Sequence, residues 1–228
     1  MSWKEWMRTA EIEPSIYAAD FSCLGEQLEI LLRGGVRIFQ FDVGDGQFVA
    51  PITTGPIVLQ SIAPIVHAAG GLIDCHLMIV EPQRHFAAFA EAGGDSVTVH
   101  YEVVGDRLRD VVAQAREHGL EVGLAFNPET RVASAATAAM AAGVDLVLCM
   151  SINPGYSGQK FMLGALDRIR ELRELLPAQM PIQVDGGIGP DNIRQAFDAG
   201  ANLFVAGSSI FGREDIVRAY RRLVAALA

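Results

Sequence analysis

Short runs of apolar and β-branched residues alternate along the chain with longer stretches in which apolar positions recur every three to four residues. The short runs predict strands at residues 14–18, 38–43, 72–78, 96–101, 121–126, 146–151, 182–184 and 203–206. Several, such as Leu146-Val147-Leu148-Cys149-Met150, are apolar throughout, as expected of strands buried on both faces. Helical spacing predicts helices over residues 24–32, 108–118 and 169–176, and a final one over 214–227. Glycines stand between helix and next strand at Gly34-Gly35, Gly70-Gly71, Gly93-Gly94, Gly119, Gly143 and Gly200, where a left-handed residue closes a helix. Before the seventh strand, Pro177 and Pro181 end the helix instead. The repeat is one strand and one helix every ~25–35 residues. Eight such units predict an α/β fold, a single-domain (βα)8 TIM barrel over residues 1–228. Residues 1–11 are an N-terminal extension, expected to form a short helix across the barrel bottom. An open doubly wound sheet competes, but no GxGxxG follows the first strand.

Composition narrows the function. With 50% hydrophobic and 20% charged residues in 228, the chain is no disordered segment. It has no apolar run of ~18 residues and no signal-peptide pattern at its start. A net charge of −9 argues against nucleic acid and membrane as partners, though loops can still offer backbone N–H groups to a small anion. Three cysteines, Cys23, Cys75 and Cys149, are odd in number and lack metal-site spacing, which fits buried thiols in a cytoplasmic protein.

In a (βα)8 barrel the chemistry sits at the C-terminal ends of the strands. Gln40 and Asp42 are two apart and share a face of the second strand; Asp74 and His76 do so on the third. A carboxylate in an otherwise apolar strand needs a partner or a metal. Asp42 and Asp185, reaching one barrel mouth, could act as a proton-transfer pair on the two faces of a flat substrate, and a histidine with carboxylates could hold a divalent cation. His76 alone would equally suit a satisfied core histidine, and Asp42 a carboxylate met by backbone donors. Gly155, Gly158, Gly186, Gly187 and Gly207, at the ends of the last three strands, suggest a phosphate cradle. His67, His85, His100 and His118 are read as structural or surface residues, and Asp45-Gly46 as a turn after the second strand.

Six stretches, in order, resemble the ribulose-phosphate 3-epimerase family: Pro14-Ser15-Ile16-Tyr17-Ala18-Ala19-Asp20-Phe21, Asp42-Val43-Gly44-Asp45-Gly46-Gln47-Phe48-Val49, His76-Leu77-Met78, the segment Met150-Ser151-Ile152-Asn153-Pro154-Gly155-Tyr156-Ser157-Gly158-Gln159, Val184-Asp185-Gly186-Gly187-Ile188 and Val205-Ala206-Gly207-Ser208. The resemblance implies epimerisation of a ketose phosphate at carbon 3 through an enediolate. It implies Asp42 and Asp185 as acid and base, and one divalent metal ion (zinc, iron, manganese or magnesium) on Asp42, His76, Asp185 and Gln40. It also implies substrate contacts from Ser15, His76, Met78, Met150, Gly155, Tyr156, Ser157, Gly158, Asp185, Gly186, Gly187, Gly207 and Ser208. A phosphorylated ketose is the expected partner, and a homo-oligomer the expected assembly.

The chain departs from the family pattern. Gln40 stands where the family has a metal-binding histidine, and is either a ligand or a hydrogen-bonding support. Gly44 replaces a methionine and is expected to leave extra room, favouring a hexulose 6-phosphate slightly over ribulose 5-phosphate and xylulose 5-phosphate. Tyr17, Ala18, Gln47, Ala50, Pro51 and Ser157 are further changes near the mouth. The competing reading is a non-catalytic sugar-phosphate-binding protein whose metal site is degraded at Gln40.

Overall fold

A computed structural model describes residues 10–227. Its eight parallel strands are β1 (Glu11–Pro14), β2 (Ile38–Gly44), β3 (Leu72–Met78), β4 (Ser96–His100), β5 (Glu121–Phe126), β6 (Leu146–Met150), β7 (Ile182–Asp185) and β8 (Leu203–Ala206). They pair in the order β1-β8-β7-β6-β5-β4-β3-β2. A parallel bridge from Ser15 to Gln40 joins the two ends of that order and closes the cylinder. This is the single (βα)8 barrel expected from the alternation.

The helices are α1 (Leu24–Gly34), α2 (Pro56–Ala68), α3 (Phe86–Glu91), α4 (Tyr101–Val104), α5 (Leu108–Glu117), α6 (Val132–Ala142), α7 (Gly164–Leu175), α8 (Ile193–Ala199), α9 (Ser208–Phe211) and α10 (Ile216–Leu227). Outward-facing strand residues such as Phe39, Phe41, Cys75, Val97 and Phe204 pack against them in the main hydrophobic core. At α1 the closing residue is Gly35, at φ 106, a conformation glycine adopts without steric cost.

The barrel interior is divided. One side is an apolar cluster of Ile38, Ala125, Leu146, Leu148, Met150, Ile152 and Leu203. The other is polar, and all its members are buried: Glu13, Gln40, Asp74, Ser96, Thr98 and Gln183. Gln183 Nε2 donates to Glu13 Oε2 at 2.8 Å and to Asp74 Oδ2 at 3.2 Å. Asp74 also accepts from the hydroxyls of Ser96 at 2.7 Å and Thr98 at 3.2 Å.

This interior explains where sequence and structure differ. The first strand lies at Glu11–Pro14, not 14–18, because Ile16–Ala18 turn into a short 3-10 helix. Glu11 and Glu13 look unlike core residues, yet their strand is wholly buried. The expected helix over residues 1–11 falls almost entirely outside the described residues, and Glu11 itself begins β1. The fourth strand ends at His100, and Tyr101 starts a helix.

Glu13 gives a stability prediction. Burial, with the charge of Asp74 second, drives its carboxyl well above the ordinary 4.5. The folded state therefore holds a proton that the unfolded chain releases above that pH, so stability falls as pH rises past 4.5. Glu13→Gln keeps the shape and removes the titration. Its melting temperature is expected to exceed that of the parent by about 2–4 °C at pH 8, the shift that ~1 kcal/mol gives in a domain of this size, and to match it at pH 4. Equal midpoints at both pH values, by calorimetry, would refute the assignment.

Candidate active site

Strand register brings the polar residues together. Asp42 lies opposite His76 across the β2–β3 ladder, and Met150 opposite Asp185 across β6–β7. Alternation sends Gln40, Asp42 and His76 inward and leaves Phe41 and Cys75 to the helix layer. His76 Nδ1 lies 2.9 Å from Asp42 Oδ1 and 3.8 Å from Asp185 Oδ2. Asp42, His76 and Asp185 each offer one ligand atom, all within 4.8 Å of one another.

Gln40 is fully buried beneath them. Its amide nitrogen donates to Asp42 Oδ1 at 2.8 Å and to Asp185 Oδ2 at 3.2 Å, bridging the two carboxylates. The other oxygen of Asp42 accepts the Ser15 hydroxyl at 2.5 Å.

These contacts make the carboxylates unequal. Burial alone would raise Asp42, but the hydrogen bond and charge of His76, with Ser15 and Gln40, bring it below its usual range. Asp185 is pushed up to about 7 by burial and then by the charge of Asp42. Burial disfavours the charge on His76, but Asp42 outweighs it and raises the imidazole.

The backbone around these groups is secured by nearby side chains. Thr53 and Thr54 donate their hydroxyls to the Asp42 carbonyl at 3.1 and 3.0 Å. Ser151 donates to the carbonyls of Asp185 and Gly186, both at 2.7 Å. Asp45 makes the expected turn: its carboxylate accepts the N–H groups of Gln47, Phe48 and Val80.

One pocket opens above the carboxylates. Of the residues expected to touch substrate, Ser15, Met78, Met150 and Asp185 line it, as do the loop residues Gly155, Tyr156, Ser157 and Gly158 and the glycine ends Gly186, Gly187, Gly207 and Ser208. Asp42 lines it too, whereas His76 and Gln40 stand behind the wall. Tyr17 is a further lining residue. Among the described residues, no lysine or arginine lines the pocket. Gly187 shows how tightly the loops fit: at φ 65, an added Cβ would come within 2.4 Å of the Phe161 backbone nitrogen.

Two expectations change. Gly44 opens no space, because an added Cβ would meet the Pro51 carbonyl at 2.8 Å and Val49 Cγ2 at 2.9 Å. The chain after β2 folds back over it, with Thr53 N–H on the Gly44 carbonyl at 3.2 Å. His100, read as structural or surface, is fully buried with its Nε2 2.8 Å from His76 Nε2. Its Nδ1 meets Glu102 Oε2 at 3.2 Å. Burial, then neighbouring His76, pulls the His100 imidazole down to about 4 despite Glu102. Glu102 is held at about 2: burial opposes its charge, but His100, the Thr130 hydroxyl and the Asn127 N–H overcome it. Period two puts Thr98 and His100 on one face of the strand after His76, but only the strand pairing brings the His100 ring to His76.

Comparison with known proteins gives a consistent result. Residues 11–211 match the model of the ribulose-phosphate 3 epimerase family. A ribulose-phosphate 3-epimerase of Bacillus subtilis is 37% identical over 209 residues, covering 90% of this chain and 94% of that one. A protein of the same name from Aquifex aeolicus is 40% identical over 215 residues, 93% and 94% of the two chains. Among solved structures, KGPDC from Streptococcus mutans superposes with a TM-score of 0.73 at 12% identity, covering 96% of this chain and 98% of that one. A 3-hexulose-6-phosphate synthase from Salmonella typhimurium gives 0.72 at 15%, covering 95% and 98%. At such identities these structures speak for the fold alone.

Proposed function

The chain belongs to the ribulose-phosphate 3-epimerase family and is an isomerase acting on sugar phosphates; from this we propose that it interconverts ribulose 5-phosphate and xylulose 5-phosphate at carbon 3. One observation carries the mechanism. Asp42 and Asp185 reach one pocket from β2 and β7, the first held low and the second pushed up to about 7. Two carboxyl groups separated in proton affinity supply a base and an acid at the same pH.

Asp42 takes the proton from carbon 3 on one face, and Asp185 delivers one to the other. In the reverse direction the roles exchange. Ser15 and Gln40 keep Asp42 oriented and ionised. The phosphate lies against the loops holding Gly155–Gly158, Gly186, Gly187, Gly207 and Ser208. Backbone N–H groups suit it there, since the described pocket lining lacks lysine and arginine. That grip, remote from carbon 3, orients the substrate.

The donor set fits a divalent cation. Two carboxylates and an imidazole nitrogen converge, and among the described residues neither carboxylate pairs with lysine or arginine. Asp42, His76 and Asp185 would hold the ion, with Gln40 bridging the carboxylates or turning its oxygen inward as a fourth ligand. When bound, it supplies Lewis-acid stabilisation of the enediolate, worth several kcal/mol.

Gly44 supports the pentulose, since the space expected there is filled by Val49 and Pro51. Steady-state assays test this. Turnover of ribulose 5-phosphate is expected, with kcat/KM ~10²-fold above that for fructose 6-phosphate, the discrimination that one extra carbon allows. Equal efficiency on both would overturn the substrate assignment. Binding without turnover of either would favour the non-catalytic reading.

A further inference from the structure

From the chain of contacts running Glu102–His100–His76 behind the pocket, we infer that Glu102 and His100 are positioning residues: they hold a proton on His76 Nε2, so that Nδ1, beside Asp42 and Asp185, is the nitrogen left to bind a cation. The inference rests on the reading of His76 as a metal ligand, and nothing in that reading requires either residue.

The geometry leaves few arrangements. His76 and His100 meet through their Nε2 atoms at 2.8 Å, so one donates and the other accepts. Their ring centroids are 5.0 Å apart and their planes 22° from parallel. With the nitrogens that close, the rings meet edge to edge rather than face to face. The other end of His100 decides the direction. Its Nδ1 faces Glu102 Oε2 at 3.2 Å, and an ionised carboxylate only accepts. Glu102 is fixed as an acceptor by two further donors on Oε1, the Thr130 hydroxyl and the Asn127 N–H at 2.8 Å. His100 Nδ1 therefore carries hydrogen. A second proton on His100 would charge a ring that is fully buried, and both imidazoles would compete to donate. His100 Nε2 is then an acceptor, and His76 Nε2–H its donor.

The consequence lies 2.9 Å from Asp42. With no cation present, ionised Asp42 accepts from His76 Nδ1 as well; when the ring gives up one proton, the Nε2–H is already committed to His100, so it is Nδ1 that supplies the lone pair between the carboxylates. Without an acceptor at residue 100, the proton would move to Nδ1 and bond Asp42, and a cation would have to displace it. The ring of Phe48, 4.7 Å from that of His100 and tilted by 51°, closes the pair from the side. Hydrogen-bond partners of ligating histidines commonly control metal affinity by ~10–100-fold.

The test uses the full chain. Nitrogen-15 NMR of the metal-free wild type, above the titration of His76, should show His76 protonated at Nε2 and bare at Nδ1. The reverse pattern overturns the inference, whether or not metal binds. Zn2+ affinity is then measured by competition with a chromophoric chelator. His100→Phe should weaken Zn2+ binding ~10–100-fold and move the His76 proton to Nδ1. His100→Gln, whose amide oxygen can still accept from Nε2–H, should restore most of that loss. A folded His100→Phe that binds Zn2+ within twofold of wild type refutes the proposal. If that variant does not fold, the wild-type spectrum decides alone. A wild type that binds no Zn2+, yet shows the expected protonation, would instead count against the metal reading.

Discussion

Asp185→Asn is expected to lower the interconversion of the two epimers by at least ~10³-fold while leaving Asp42 able to exchange the carbon-3 hydrogen of one epimer with solvent. A positioned acid or base contributes ~10²–10⁴-fold, and in the proposed mechanism the residue acts in every turnover. Asn keeps the shape and can still accept from Gln40, whose amide lies 3.2 Å from Asp185 Oδ2. It lacks the proton that a carboxyl pushed up to about 7 can hold at neutral pH. Asp42 remains as a single base on a single face. It can remove and return a proton there, but cannot invert. Asp42→Asn should give the mirror result, with exchange confined to the other epimer. Kinetics of both variants in both directions check this. Inversion within tenfold of wild type in either variant would remove that residue from the mechanism.

Removal of the proposed divalent ion is expected to have an effect of similar size. Several kcal/mol of enediolate stabilisation corresponds to ~10³-fold in rate. Among the described residues, the pocket lining contains no lysine or arginine to replace it. Protein stripped with a strong chelator, its metal content checked by elemental analysis, should lose ~10³-fold in kcat and regain it with a stoichiometric divalent ion. Full activity at a verified metal content below one per hundred chains would contradict the account.

Much of the fold was written in local sequence, because a buried barrel strand has to be an apolar run and each crossover has to end. The inward set Gln40, Asp42 and His76 followed from a period of two. What local pattern could not give was the partner across the barrel. Glu11–Glu13 fell outside the expected first strand, 14–18, and Gln183, ~170 positions away, is what satisfies Glu13 in the barrel. His100 seemed ordinary because only the neighbouring strand shows that its ring reaches His76. Gly44 seemed to open space because the loss of a side chain is visible in sequence, whereas the return of Val49–Thr53 over it is a tertiary event. The glycines at the ends of the last strands line one pocket, and their approach was visible because glycine at a strand end already says that backbones come close.

The most direct test of two carboxyl groups acting on one carbon is isotopic. Wild-type protein, ribulose 5-phosphate and deuterated water are followed by proton NMR from the first turnover. Xylulose 5-phosphate should form with solvent deuterium at carbon 3 and none at carbon 1. Inverted product that keeps its original hydrogen, or deuterium entering at carbon 3 with no inversion in either direction, would contradict a transfer in which Asp42 and Asp185 each serve one face.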